Sequence, residues 1–392
     1  MLAALAMCAS TCSLLVGALW ATTILAAPTP EGNASFKPRS FTIPVIHERS
    51  LPAGPAERAD GAVATYDLDS VYAFKSPVLV GGQQLMLQID TGSADLWVFS
   101  TELRSNETGS HTLYDPEKSS NFHQLDGYTF DINYVGGVGA SGTVGTDTVD
   151  IGGAIVPNQA IELADTVGSG RVDGDGDGVL GLAFKGGNSV QPQKQATFME
   201  NLQQYVDKPI FTTCFKYNDV GRMDFGDIQP SLYKGELTEV PVNNGSAAWL
   251  LDHLWFEVNG KPLGITTPTS LTVDTGGVLF SPPSPVADAY WANVNGAREI
   301  SGQWVYPCGA NLPDFGVNFG HILGRVNHTA VVPGHLLGQN VESSDSPGNC
   351  VGALQGITPG NGVPPVIGPP FMMAQFLVFN QATPSISFAP QA

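Results

Sequence analysis

Two aspartates, Asp90 and Asp274, carry the clearest chemistry in the sequence. Each closes an apolar stretch and opens an Asp-Thr-Gly tripeptide: Leu87-Gln88-Ile89-Asp90-Thr91-Gly92 and Leu271-Thr272-Val273-Asp274-Thr275-Gly276. One such tripeptide is weak evidence, because Asp and Gly are ordinary turn residues. Two copies are stronger evidence, since each is followed by an apolar-apolar-glycine element. These are Val179-Leu180-Gly181 and Val366-Ile367-Gly368, at separations of 181 − 90 = 91 and 368 − 274 = 94 residues. Shared order and near-equal spacing indicate an internal duplication of one β-rich lobe. A pseudo-twofold axis between the copies would bring the two carboxyls face to face. Like charges so placed resist joint ionisation: one pKa falls, the other rises, and the pair titrates as a unit. Such a pair supplies a general base and a general acid at acidic pH without a histidine. One carboxylate would activate a water, and the other would protonate the carbonyl under attack. Thr91 and Thr275 are expected to bond the opposite loop, and Gly92 and Gly276 to let backbone amides approach the carboxylates.

The elements that must position this pair are predicted to be strands. The chain has 392 residues, enough for two lobes with separate cores. Gly (46) and Pro (29) are plentiful and charged residues make up only 14%, a balance that favours many short strands and tight turns. Helix-like stretches are few, the clearest at residues 194–205 and 285–294. The expected fold is all-β and bilobal, with a first lobe over 60–232 and a second over 233–392. The formal charge is 17 − 36 = −19, which would repel a phosphate backbone and excludes nucleic acid as a partner. Few Lys and Arg also limit positive self-repulsion once the carboxylates protonate in acid.

Residues 1–27 hold no charge, carry an apolar run at 14–20 and end in Leu25-Ala26-Ala27, which reads as a secretory signal peptide. No later stretch approaches membrane-spanning length, so no membrane contact is expected after processing. Residues 28–59 carry 4 − 3 = +1, against 13 − 33 = −20 from Asp60 onward. That contrast suggests a propeptide held to an acidic body and released as the body loses charge. Cys8 and Cys12 would leave with the signal. Of the remaining three cysteines, Cys214 lies in a strand-like run as a buried thiol, so Cys308 and Cys350 are expected to pair. Sequons at Asn33, Asn106, Asn244 and Asn327 fit a secreted, glycosylated product.

The run Asp90-Thr91-Gly92-Ser93-Ala94-Asp95-Leu96-Trp97-Val98 resembles the first active-site motif of pepsin-like aspartic proteases, with the flavour of the fungal secreted members. Asp177-Gly178-Val179-Leu180-Gly181-Leu182-Ala183-Phe184 is similar to the family's second landmark. Ile132-Asn133-Tyr134 and the Gly-rich stretch after it resemble the flap, the hairpin that closes over substrate. Residues 371–384 resemble the closing strands of the second lobe. Proton sharing between two facing aspartates is the general pattern of this family. The resemblance implies an aspartic endopeptidase with Asp90 and Asp274 catalytic and Ser93 supporting Asp90. It further implies a flap Tyr134 bonded to Trp97, and a cleft contacted by Tyr134, Trp97, Val179 and Gly136. Substrates would be extended peptides or proteins with hydrophobic residues at the cut, and the enzyme would be a monomer without a cofactor. The Cys308–Cys350 pair also matches the family's C-terminal-lobe disulfide.

Three positions depart from the family pattern. Gly277-Val278 stands where hydroxyl residues usually follow the second motif, which removes a donor to Asp274 and should raise the upper or lower apparent pKa of the dyad. Gly136 lacks the flap carboxylate of some fungal members, and Pro369 replaces a frequent Asp. These departures support an alternative reading, a weakened homologue that binds peptides without cutting them. Other chemistries fit poorly. Asp173 to Gly178 imitates the start of a calcium loop, but its twelfth position is Phe184. No His-Glu-x-x-His, Cys-x-x-Cys or Gly-x-Ser-x-Gly pattern occurs, so no metal site and no serine nucleophile are expected.

Overall fold

Strand formation begins at Phe41–Arg49 (β1), where Phe41, Ile43 and Val45 are buried and Thr42 between them is exposed. In the computed structural model the described residues are 40–49, 72–104, 108–135, 139–168, 176–216, 219–243, 245–319, 328–358 and 363–392. β1 pairs antiparallel through residues 41–45 with Gly221–Phe225 and through residues 46–49 with Tyr72–Val80 (β2). The segment expected as a propeptide thus places one strand inside the sheet. β2 turns through Gly81 and Gly82, at φ +54° and +78°, into Gln83–Asp90 (β3). Two consecutive positive φ values suit the twist of a tight hairpin and cost glycine little. Leu85, Leu87 and Ile89 then point inward along β3, so Asp90 arrives at the strand's end.

The chain continues through Leu96–Phe99 (β4), His123–Asn133 (β5), Gly139–Ile151 (β6), Ala154–Val167 (β7), Gly178–Gly181 (β8), Ile210–Cys214 (β9), Gly221–Phe225 (β10) and Thr238–Pro241 (β11). The second half supplies Leu250–Val258 (β12), Lys261–Pro262 (β13), Thr269–Val273 (β14), Arg298–Ile300 (β15), Gln303–Pro307 (β16) and Phe315–Phe319 (β17). It ends with His328–Val332 (β18), Gly338–Ser343 (β19), Ser346–Gly352 (β20), Val366–Ile367 (β21), Gln375–Asn380 (β22) and Ser385–Pro390 (β23). The fold is all-β. One 13-stranded sheet runs β11-β23-β22-β9-β10-β1-β2-β3-β8-β4-β7-β6-β5. A six-stranded sheet, β18-β17-β12-β14-β21 with β13 on β12, carries the second Asp-Thr-Gly, and β15, β16, β20 and β19 form a four-stranded sheet.

Strands from both sides of residue 232 therefore share the largest sheet. Their junction is filled by aromatics: Phe211 stacks on Phe379 at 4.5 Å, and Trp249 meets both edge-on at 5.8 and 5.1 Å. Burying each ring contributes about 1.5–3 kcal/mol by removal from water.

Among the described residues the α-helices are Phe198–Leu202, Ser284–Trp291 and Pro369–Ala374. The first lies inside the stretch expected at 194–205 and the second overlaps the one expected at 285–294, and both are shorter than expected. The third corrects the expectation of strand from residue 371. Pro369 and Pro370 occupy its first turn, where a missing N–H costs nothing. None of the described helices is long and apolar enough to cross a membrane. Cys308 and Cys350 form a disulfide closing a 42-residue separation, and Cys214 is a buried free thiol.

Candidate active site

The two halves deliver their aspartates in the same way. β8 lies parallel to β3 with Ile89 opposite Leu180 and Asp90 opposite Gly181, while β21 lies parallel to β14 with Val273 opposite Ile367. Main-chain bonds finish each pairing: Leu182 N donates to Asp90 O at 2.7 Å, and Asp274 N donates to Ile367 O at 3.0 Å. The glycines of the repeated elements are there because backbone crosses them. A Cβ on Gly181 would lie 2.5 Å from Asp95 N, and one on Gly368 would overlap Leu279 O.

The two Asp-Thr-Gly loops meet and bond each other reciprocally. Thr91 N donates to Thr275 Oγ1 (2.9 Å), and Thr275 N donates to Thr91 Oγ1 (3.0 Å). Each hydroxyl in turn donates across the interface, Thr91 Oγ1 to Val273 O (2.8 Å) and Thr275 Oγ1 to Ile89 O (2.7 Å). Both threonines are fully buried, so the four bonds are shielded from water and fix one loop against the other. Gly92 and Gly276 back onto the opposite carboxyl. A Cβ on Gly92 would lie 2.5 Å from Asp274 Cγ, and one on Gly276 would lie 2.6 Å from Asp90 Cγ. Only a residue without a side chain lets the loops close this far.

Hydrogen bonding to the two carboxyls is unequal. Asp90 accepts from Gly92 N at 2.7 Å and, through its other oxygen, from the Ser93 hydroxyl. Asp274 Oδ1 takes two backbone donors, Gly276 N at 2.8 Å and Gly277 N at 3.0 Å. Gly277 holds the position that Ser93 holds in the first loop and offers no hydroxyl. Burial, and then the neighbouring Asp90, push Asp274 well above the usual carboxylate range, while the Gly277 and Gly276 amides pull the other way. An acid in that condition keeps its proton when an ordinary aspartic acid has lost it.

Gly277→Ser restores a donor on that side. A Cβ there would lie 3.4 Å from Asp274 Oδ2 and 3.2 Å from Val366 Cγ1, so one methyl must yield by a few tenths of an ångström. Because Asp274 is the member with the raised pKa, the serine should lower the upper apparent pKa of the pair. The alkaline limb of the kcat/KM profile is expected to move toward acid by about one pH unit. An unmoved limb in a folded Gly277→Ser variant would mean that another donor already serves Oδ2.

Trp97 Nε1 donates to the Tyr134 hydroxyl at 2.9 Å, joining β4 to the tip of the β5–β6 hairpin. Burial, and then the Asp90 charge, push the Tyr134 phenol upward, so it stays neutral. Two residues expected to contact substrate do not reach the cleft surface. Trp97 and Val179, at 0% and 2% exposure, pack with Phe99, Phe130 and Ala164. Both sit on strands buried on both faces, so they support the site from behind, Trp97 through its bond to Tyr134. Val135, beside Tyr134, is half exposed. Gly136 and the sequon residues Asn33, Asn106, Asn244 and Asn327 lie outside the described residues, as do Asp173 to Asp175 of the calcium-like run. Asp177 spends its carboxylate on Met86 N (2.8 Å) and Thr112 N (2.7 Å).

Other residues at the site carried no local signal in the sequence. Gln88 Nε2 donates to Gly276 O at 3.3 Å, and Trp249 Nε1 to Leu182 O at 2.9 Å, both across the junction of the halves. Among the described residues no three His, Cys, Asp or Glu side chains group as metal ligands.

A family model described as eukaryotic aspartyl protease matches residues 73–391. The chain is similar to aspergillopepsin-1 of Aspergillus fumigatus, 38% identical with 86% of this chain and 83% of that protein covered. It is similar to penicillopepsin-3 of Penicillium janthinellum at 37% identity, with the same coverages of 86% and 83%. Aspartic protease pepA of Arthroderma gypseum is 35% identical, with 96% of this chain and 97% of that protein covered.

Proposed function

The chain belongs to the eukaryotic aspartyl protease family and is an aspartic endopeptidase, and from that premise we propose that Asp90 and Asp274 are its catalytic pair. The observation that carries this reading is the reciprocal threonine bonding that sets each carboxyl against the opposite glycine. Geometry fixed by buried bonds lowers the entropy cost of aligning water and carbonyl.

One proton is shared by the pair at working pH. The ionised carboxyl takes a proton from a water as its oxygen attacks the peptide carbonyl carbon; the protonated one, assigned to Asp274 by its raised pKa, donates to the carbonyl oxygen. As the tetrahedral diol collapses, the C–N bond breaks, the leaving nitrogen takes the proton won from the water, and one hydroxyl returns its proton, so that the pair again holds one. An extended peptide would lie along the cleft beneath Tyr134, held by main-chain bonds, with hydrophobic side chains flanking the cut.

Secretion, acidic working pH and maturation complete the reading. Residues 1–27 act as signal and 28–59 as propeptide, with a mature start between about residues 56 and 65. Asn106, Asn244 and Asn327 are the sugar acceptors. The test is incubation of secreted protein with a denatured protein substrate at several acidic pH values, with and without a peptide-like transition-state inhibitor. Acid cleavage blocked by the inhibitor is expected, and N-terminal sequencing of the same material reads the processing site. Cleavage insensitive to the inhibitor would overturn the dyad mechanism, and an active product beginning at Pro28 would overturn the propeptide assignment.

A further inference from the structure

Behind the site lies a second pair of carboxyls that the cleavage chemistry does not use. Asp95, on the loop that follows the first Asp-Thr-Gly, and Glu162, opposite Trp97 in the β4–β7 pairing, are both essentially fully buried. One oxygen of each is well served. Asp95 Oδ1 accepts from Ser189 N (2.7 Å), Ser189 Oγ (2.8 Å) and Asn188 Nδ2 (3.0 Å), and Glu162 Oε1 accepts from the same Asn188 Nδ2 at 3.0 Å. The remaining oxygens, Asp95 Oδ2 and Glu162 Oε2, are buried without an N–H or hydroxyl donor. The two carboxyls lie within hydrogen-bonding reach of each other. A single proton between them would satisfy both orphan oxygens, and buried polar atoms are rarely left unsatisfied.

The internal repeat shows that the fold does not need a carboxyl here. Gly181 crosses the first loop at Asp95, and Gly368 crosses the second at Leu279, each five residues past its aspartate (95 − 90 = 5; 279 − 274 = 5). One copy uses a leucine where the other buries an acid. The acid side connects to the flap. Asn188 Oδ1 accepts from Gln195 N at 2.8 Å, and Gln191, three residues on, exchanges two main-chain bonds with Thr129 of β5 at 3.0 and 2.8 Å.

We propose that Asp95 and Glu162 form a proton-held positioning element: the shared proton clamps the 188–191 segment, and with it the base of flap strand β5, to the strand bearing Trp97, and its loss sets the upper pH limit of the enzyme. Burial, and then Asp95, push Glu162 well above the ordinary glutamate value, so Glu162 keeps the proton. Burial raises Asp95 as well, but the Ser189 amide and hydroxyl, Glu162 and then Lys194 all pull it back down, so the proton stays on Glu162. Lys194 follows the clamped segment and donates to Gly186 O at 2.5 Å. Tyr134 of the flap, held by Trp97 and pushed upward by burial and then by Asp90, also feels the Asp95 charge and stays neutral. A folded-state pKa raised in this way gives stability that is complete below about pH 4.3 and is lost as pH rises through the raised value.

Glu162→Gln tests the clamp, because its amide can donate to Asp95 Oδ2 without a titrating proton. Wild type and variant are held at pH 7 and assayed after return to acid, so that reversible titration of Asp90 and Asp274 is not read. The variant is expected to survive at least about tenfold longer, the equivalent of one pKa unit. The effect on cleavage rests on the peptidase reading. Stability and amide exchange at Thr129 and Gln191 are therefore followed separately in Asp274→Asn, where no turnover is required. In that background, protection corrected for intrinsic rate should fall as pH rises from acid through the raised Glu162 value while Glu162 is present. It should persist over the same range once E162Q is added. Should E162Q fail to fold, Asp95→Asn supplies the donor from the other side. Equal survival and equal exchange in a folded variant would overturn the clamp, as would protection that stays unchanged from acid to alkaline pH with Glu162 in place.

Discussion

Asp90→Asn and Asp274→Asn are each expected to lower kcat by about 10²- to 10⁴-fold, the scale of a lost general acid or base. Both substitutions should fold. In Asp274→Asn the amide oxygen can still accept from Gly276 N and Gly277 N while the amide nitrogen donates toward Asp90. In Asp90→Asn the oxygen keeps the Gly92 bond, and the Ser93 hydroxyl can rotate to accept from the new amide. A stability difference follows from the raised pKa of Asp274. That residue contributes stability which is complete below about pH 3.9, the ordinary aspartate value, and is lost as pH climbs through its folded value. Asp274→Asn should therefore melt higher than wild type at neutral pH and not at acidic pH. Single-turnover cleavage and melting curves at both pH values check the two statements. Retention of half the wild-type rate by either variant would refute a shared mechanism.

Gly276→Ala should cost about 10²-fold in kcat or more without unfolding the chain. The added methyl would stand 2.6 Å from Asp90 Cγ, roughly an ångström inside ordinary contact. Either the carboxyl or the loop must move by that amount, and a misplacement of about 1 Å is worth about 10² in rate. Gly309→Ala is the control, since a Cβ there meets nothing within 4 Å. Kinetics beside a near-UV spectrum separate a displaced site from a disordered one. A fully active Gly276→Ala enzyme would show that the loops have slack and that the carboxyls are not held by the packing described.

The pair of loops that make up the candidate site was legible because its parts are contiguous. Asp, Thr and Gly stand together in each copy, and the strand that pairs beside each copy repeats at nearly the same distance. Trp97 and Val179 were placed near the site, but which way they face was not readable. β4 and β8 are buried on both faces, so they show no alternation to mark a cleft side. Asp95 and Glu162 were invisible as a pair, since they are 162 − 95 = 67 residues apart and each looks like an ordinary surface acid in sequence. The helix at Pro369 is hidden in the sequence because two prolines read as a break, although the first turn of a helix accepts them.

The placement of β22 between β9 and β23 has a consequence for synthesis. β9 ends at Cys214 and its partner begins at Gln375, so 375 − 214 = 161 residues separate them along the chain. At about 5–20 residues per second, that is about 8–32 s of translation during which β9 has one bare edge and Phe211 lacks the ring it stacks on. An open, apolar edge of this kind is a template for pairing with other chains. The nascent protein must be shielded through that interval, and a transcript that stops short of the codons for β22 would leave the interval without an end.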